Sequence, residues 1–314
     1  MRAVVVRNPG GLDALEVVDV AVPEPGPGQV RVRVEAAAVN PVDVATRAGL
    51  LVEGGLVRRR EQHGIGWDVA GVIDALGPGV TGVGAGDRVI GLRDRLELPL
   101  GTHAEYVVLD AGAVARAPGG VSAEAAATIP LNGLTAMQGL DLLGLSAGQT
   151  LLVTGAAGAL GGFAVELAAA RGLRVVALAS PADEEAVRGF GAEFFVPRGG
   201  DLPSAVRALV PGGVDGVLDA AVVGSPALEA ARGGGSFVSV VAGAAPLPLR
   251  GTRVREVWIR ADAAMLGALS ALAESGRLTL RVASTHALED AAKAHALLEQ
   301  GGLRGRPVLT PGPR

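Results

Sequence analysis

The apolar residues of this chain fall into two rhythms. Up to position 121 they come in short runs cut by glycine and proline. Arg2–Arg7 and Leu15–Val20 read as a hairpin around Asn8-Pro9-Gly10-Gly11, and VPEPGPGQ at 22–29 is a turn cluster. The V-R-V-R-V alternation in Val30–Ala38 predicts a half-exposed strand with its arginines on the wet face. Asn40-Pro41-Val42-Asp43 opens a short helix, with Asp43 in its first turn; 50–66 reads as irregular, and Arg58-Arg59-Arg60 as a solvated basic run. Trp67–Leu76, Asp87–Gly91 and Gly101–Leu109 read as further strands, and Tyr106 as strand packing within A-E-Y-V-V-L. Short strands at this spacing suggest a small antiparallel barrel.

Beyond position 121 the rhythm changes to alternating helix and strand. Helices are expected over Ser122–Ala127 and Gly133–Leu143, then around 182–190, 202–210 and 225–232. Strands are expected around 193–197, 214–219 and 236–242, with Arg253–Arg260 at the sheet edge. Ala261–Ser275 and Leu288–Gln300 read as amphipathic helices, and Leu278–Ala283 and Arg306–Thr310 as strands returning to the first domain.

The stretch 149–180, QTLLVTGAAGALGGFAVELAAARGLRVVALAS, organises the rest. An apolar strand, Thr150–Thr154, runs into Gly155, Gly158 and Gly161; a helix over Phe163–Arg171 ends at Gly172, and Arg174–Ala179 is a second buried strand. With 48 glycines in the chain the spacing alone means little, but the strand–loop–helix–strand context marks a dinucleotide-binding unit. The first glycine permits the tight turn, the second lets phosphate approach the backbone, and the third lets helix pack on strand. Helix N–H groups and the helix dipole then favour a pyrophosphate.

Apolar residues make up 49% of the chain, enough for a sizeable core, and the net charge of −4 gives no reason to expect nucleic acid or a membrane as partner. No apolar run reaches membrane-span length, and the first residues are too short an apolar stretch for a signal peptide, so a cytoplasmic protein is expected. There is no cysteine, which removes disulfides, thiol nucleophiles and cysteine-type zinc sites; the four histidines are scattered, and no metal is expected.

Several segments together carry a resemblance: AAVNPVDVATRAG (37–49), GWDVAGVIDALGPGV (66–80), GDRVIGL (86–92), GTHAEYVV (101–108), AAATIPLNGLTAMQGL (125–140), VTGAAGALGG (153–162) and LEDAAKAHALLEQGGLRGRPVL (288–309). In this order they resemble a medium-chain dehydrogenase/reductase of the zinc-free quinone oxidoreductase, zeta-crystallin-like branch. The resemblance implies an α/β chain: a Rossmann doubly wound parallel sheet (122–260) plus a GroES-like antiparallel β-barrel catalytic domain (1–121 and 261–314). It implies a homodimer through the edge strand, and places Asn40 and Thr135 beside the nicotinamide as the catalytic pair. The expected cofactor set is Asn40, Thr135, Gly155, Ala156, Gly158, Ala159, Leu160, Gly161, Ala179, Ser180, Arg198 and Val241. By residue type alone, Asn40 could equally cap its helix and Thr135 could be helix packing. The chain departs from the family where many quinone reductases place a tyrosine, here Ala45, and keeps one tyrosine and one lysine, Lys293.

These readings converge on a reductase moving hydride from NADPH to a quinone or similar small electron-poor acceptor. An enoyl or alkenal reductase, and a non-catalytic NADPH-binding sensor or structural protein, are the alternatives. NADPH is expected over NADH because Ala177–Ser180 holds no carboxylate for a ribose 2′-OH. The family's lysine near 183 is Asp183 here and its tyrosine near 198 is Arg198, whose guanidinium could take the 2′-phosphate or could be merely a solvated loop arginine. Ser180, Pro181 and Asp183 read as N-cap, N1 and N3 of the next helix.

Overall fold

The computed structural model describes residues 1–96 and 98–312. It divides into two compact units. One comprises Met1–Leu131, Arg260–Gly276 and Leu280–Arg314, and the other Asn132–Ile259 with Arg277–Thr279.

The first unit is GroES-like and built on a seven-stranded, mostly antiparallel sheet. Its order runs Val282–Ala287, Arg306–Thr310, Gln29–Ala38, Asp68–Leu76, Arg88–Leu92, Val114–Arg116, with Tyr106–Asp110 also paired to Gln29–Ala38. The V-R-V-R-V alternation does what its period requires. Val30, Val32 and Val34 enter a core with Val69, Ile73, Val89, Val107 and Leu109, while Arg31 turns outward to Asp74 and Glu24. Each fully buried valine stabilises by roughly 1.5–3 kcal/mol. A second, three-stranded sheet joins Glu16–Asp19, Arg2–Val6 and His63–Gly64.

Four expectations shift here. The stretch 50–66 contains a short helix, Leu50–Glu53, and the two-residue strand His63–Gly64, because Val5 and Val6 offer it a free edge. Gly101–Leu109 becomes strand only from Tyr106 onward, where pairing with Arg33 starts. The strand expected at Leu278–Ala283 lies at Val282–Ala287 instead, since Thr279 is held away by its N–H bonding to both carboxylate oxygens of Glu166 in the second unit. The edge strand foreseen as Arg253–Arg260 stops at Glu256.

The second unit is a six-stranded parallel sheet. Its strands are β1 (Thr150–Thr154), β2 (Arg174–Ala179), β3 (Phe194–Pro197), β4 (Val214–Asp219), β5 (Ala231–Ser239) and β6 (Arg253–Glu256). Their spatial order is β3-β2-β1-β4-β5-β6, the doubly wound Rossmann arrangement, and it reverses between β1 and β4. Helix α1 (Pro130–Leu143) leads into β1, and α2 (Ala159–Ala170), α3 (Glu184–Gly189), α4 (Leu202–Leu209) and α5 (Ser225–Glu229) connect successive strands. Leu152, Val176, Val196, Val217 and Phe237 share one core cluster. The helix after the glycine loop starts at Ala159, four residues before the sequence suggested, so Gly161 sits inside its first turn. No helix among the described residues is long and apolar enough to cross a membrane.

Candidate cofactor and active site

The parallel sheet gathers most of the expected cofactor residues along one edge, the C-terminal ends of its strands. Gly155–Gly158 follows β1; Ala179 ends β2, with Ser180 next; Arg198 follows β3; Val241 follows β5. Gly155 has φ +59°, which an L side chain rarely adopts. A Cβ on Gly161 would lie 2.1 Å from the Gly155 carbonyl oxygen, so the loop and α2 touch only because that residue is glycine. A Cβ on Gly158 would meet only that same oxygen, at 3.2 Å, leaving the space beyond open. The Ala156 N–H donates to the Leu178 carbonyl at 3.1 Å, tying the loop to β2. The first-turn N–H groups of Leu160 and Gly161 find no acceptor among the described residues, the usual state of a helix start.

Beside this loop, β2 ends without a carboxylate in line. Ser180 caps a single 3-10 turn, Pro181–Asp183, rather than the first turn of a continuous helix; α3 begins only at Glu184. The Ser180 side chain makes no capping bond. Arg198 donates its backbone N–H to the Ala179 carbonyl at 2.9 Å, so it emerges next to Ser180, and its exposed side chain makes no bond among the described residues. Val241 lies past the end of β5 because the Ser239 hydroxyl turns the chain, donating to the Val241 carbonyl at 3.0 Å. Thr135 is on α1 and buried.

Asn40 belongs to the other unit and is fully buried at the N-terminus of helix Pro41–Ala48. Its backbone N–H donates to Asp43 Oδ2 at 2.8 Å, the bond expected of a first-turn acid. Its amide Nδ2 donates to Asp68 Oδ2 at 2.7 Å, and Asp68 Oδ1 accepts the Leu131 N–H at 2.6 Å. Asp43 also accepts the Gly66 N–H at 3.0 Å. Burial raises both carboxyls, Asp68 to about 7 despite its two donors, with the Asp43 charge adding to the rise. Burial of the Arg306 guanidinium pulls it down to about 10, while Asp68 and Asp43 hold it up. Two buried histidines lie nearby. His103 donates from Nε2 to the Ala38 carbonyl at 3.2 Å and meets His295 edge-on, ring centroids 6.2 Å apart. Burial, with His103 and Arg47 close by, holds His295 down at about 3.

Comparison with known proteins adds the family. The alcohol dehydrogenase GroES-like domain matches residues 26–119, and the zinc-binding dehydrogenase domain matches 190–309. The chain is 30% identical to 2-methylene-furan-3-one reductase of Solanum lycopersicum, over its whole length and 80% of that protein. The chain belongs to the medium-chain dehydrogenase/reductase superfamily. It is 35% identical over 89% of its length to the spectinabilin polyketide synthase protein NorB of Streptomyces orinoci, and spans only 13% of that much longer protein. Among solved structures, an NAD-dependent alcohol dehydrogenase superposes with TM-score 0.87 at 34% identity, covering 99% of this chain and all of the other. The quinone oxidoreductase of Coxiella burnetii gives 0.85 at 27%, covering 99% of both chains. A mycobacterial relative complexed with NADPH gives 0.82 at 28%, covering 99% of this chain and all of that one.

This medium-chain dehydrogenase/reductase is quinone oxidoreductase-like in its relatives and an oxidoreductase by family. It has no cysteine, and among the described residues no group of three or more histidine, cysteine, aspartate or glutamate side chains is placed to hold a metal. The strand-end edge fits a nicotinamide dinucleotide. It offers a glycine loop with open space at Gly158 and, among the described residues, the unbonded N–H groups of Leu160 and Gly161. Sequence reasoning passed over Asp68, Asp219 and Arg306. The signal for Asp68 was available: an acid embedded in G-W-D-V-A-G, where strand alternation leaves no wet face.

Proposed function

We propose that this chain is an NADPH-dependent reductase that moves hydride to a quinone or similar electron-poor acceptor, working as a homodimer. The observation that carries the cofactor reading is the strand-end edge, where Gly155–Gly161 leaves open space beside Gly158 and Arg198, rather than a carboxylate, stands beside Ser180. A guanidinium there suits a 2′-phosphate. Bound along this edge, a reduced nicotinamide supplies the hydride. The chain binds and orients it through the α2 N–H groups, with Asn40 and Thr135 as its neighbours and Asp68 and Asp43 fixing Asn40.

For the acceptor, the argument is about protons. The single tyrosine, Tyr106, is half-buried in a strand with the Arg31 guanidinium 5.7 Å from its ring centre, and the single lysine, Lys293, is paired with Asp290 at 2.8 Å. Neither stands ready as a general acid. A reduced quinone takes protons on oxygen from solvent, whereas an enone needs one delivered to carbon. The name of the tomato relative favours the second reading, an activated alkene. Rates measured side by side on 9,10-phenanthrenequinone and a crotonyl thioester decide between them: the quinone is expected to turn over faster, and a much faster thioester overturns the quinone reading. The dimer would pair outer edges of β6, near which Leu247 and Trp258 stand exposed at 84% and 61%. Sedimentation velocity tests it.

A further inference from the structure

Asp219 ends β4 and is fully buried, yet it is not spent on a cation. Its Oδ1 accepts the Thr154 hydroxyl at 2.6 Å and the Val223 N–H at 3.0 Å, and its Oδ2 accepts the Gly224 N–H at 2.8 Å. Thr154, the last residue of β1, accepts the Ala221 N–H on the same hydroxyl at 3.0 Å. Two side chains at adjoining strand ends therefore fasten the backbone of 220–224 into one shape. Val223 packs on the core below, while Ala221 and Val222 face outward.

That shape is strained. Val222 has φ +55°, a region a β-branched residue rarely enters, and is 50% exposed. The fixed strap also touches the glycine loop, since a Cβ on Gly155 would lie 3.1 Å from the Ala221 Cβ. Strain held by over-determined bonds at a strand-order reversal is the kind of outlier that accompanies ligand positioning. The adenosine half of a dinucleotide belongs over the end of β2, so the nicotinamide half extends over β4.

The geometry points to the Thr154–Asp219 pair as a latch that pre-shapes the 220–224 strap to position the nicotinamide half of the cofactor, with Val222 as its contact. This rests on the reading that the glycine loop holds NADPH. Asp219 is a positioning residue, acting through the strap.

The test compares affinities for NADPH, by fluorescence titration, and for ADP, by competition, since ADP reaches only the adenosine and phosphate half. Asp219→Asn turns an acceptor into a donor against Gly224 or Thr154, and Thr154→Val removes the shared hydroxyl. Each should weaken NADPH roughly tenfold while changing ADP by less than about twofold, because a mis-shaped strap loses only pre-organised contacts. Thr154→Ser keeps the hydroxyl and should restore wild-type affinity. Val222→Gly relieves the strain, leaves the latch intact and should weaken NADPH alone; it decides the matter if the other variants fail to fold. Equal losses of NADPH and ADP would show a merely structural role and overturn the latch, as would unchanged NADPH affinity in Val222→Gly. A wild-type chain that binds neither probe would bring down the cofactor reading itself, a distinguishable failure.

Discussion

Two fully buried aspartates, one in each unit, show how differently the same burial can be used. Asp219 meets three donors and converts them into backbone shape. Asp68 meets two donors and a second carboxyl, Asp43, and is left near neutrality in its titration. The contrast extends to the units. The Rossmann unit packs a cluster of aliphatic and aromatic side chains at its core and sets its buried carboxylate Asp219 at a strand end. The GroES-like unit buries Asn40, Asp43, Asp68, His103 and His295 in its interior. The first should respond to changes of backbone geometry, the second to pH.

The largest expected effect tests geometry. Gly158→Val places a branched side chain in the space left open for phosphate and should weaken NADPH by roughly a hundredfold or more while the chain stays folded. Unchanged affinity in a fluorescence titration would remove the phosphate-loop assignment. Gly161→Val should instead cost the fold, because its Cβ collides with a carbonyl rather than with open space.

The pH predictions come next, and their signs oppose. His295 is held down at about 3, so from pH 6.5 down to 3 the unfolded chain takes up the proton first, and stability falls as pH falls. His295→Leu should flatten that limb, by on the order of 2 kcal/mol over the window. Asp68 is held up at about 7, so from pH 4 to 7 the folded chain keeps the proton longer, and this residue's contribution falls as pH rises. Asp68→Asn should therefore make stability climb more steeply between pH 4 and 7. Urea midpoints of wild type and variants at pH 4.5 and 7 read both; changes of slope from wild type that have the same sign in the two variants would contradict the account of a buried charge cluster.

Smaller still is the cofactor preference. Arg198→Ala should weaken NADPH roughly tenfold and NADH by less than about twofold, the value of an exposed charge-assisted contact. Equal losses for the two cofactors would remove Arg198 from the site. The smallest expected effect is none: dialysis against EDTA should leave activity intact, and activity lost and then restored by zinc would contradict a chain that carries no cysteine ligands.

What could be read from the sequence was what local geometry dictates. Gly155 and Gly161 matter through their own backbone angle and their own missing Cβ, so strand–loop–helix context exposed them. The alternation of Val30, Val32 and Val34 carried its strand in the same way. Asp219 was opaque, and Asp68 was legible only as an acid without a wet face, because their partners lie far away in the chain: Asn40 is 28 residues from Asp68 and Leu131 is 63, and Thr154 is 65 from Asp219. The strand at Val282–Ala287 was misplaced because its partner, Arg306–Thr310, fixes its register from the far side of a helix.

The pairing of Ala37 and Ala38 with Leu309 and Val308 has a consequence for the order in which the protein can be made. The Gln29–Ala38 strand leaves the ribosome well ahead of this partner: the strand that pairs with its Ala37–Ala38 end is synthesised some 270 residues later, at ordinary elongation rates roughly half a minute behind it. Every strand of the Rossmann sheet lies between Thr150 and Glu256 and is complete before Arg306 emerges. The last unit to begin forming can thus be the first to finish. Until then the Ala37–Ala38 end of the Gln29–Ala38 strand, beyond the part paired with Tyr106–Asp110, presents an unpaired edge, the kind of surface that chaperones cover and that neighbouring nascent chains can capture.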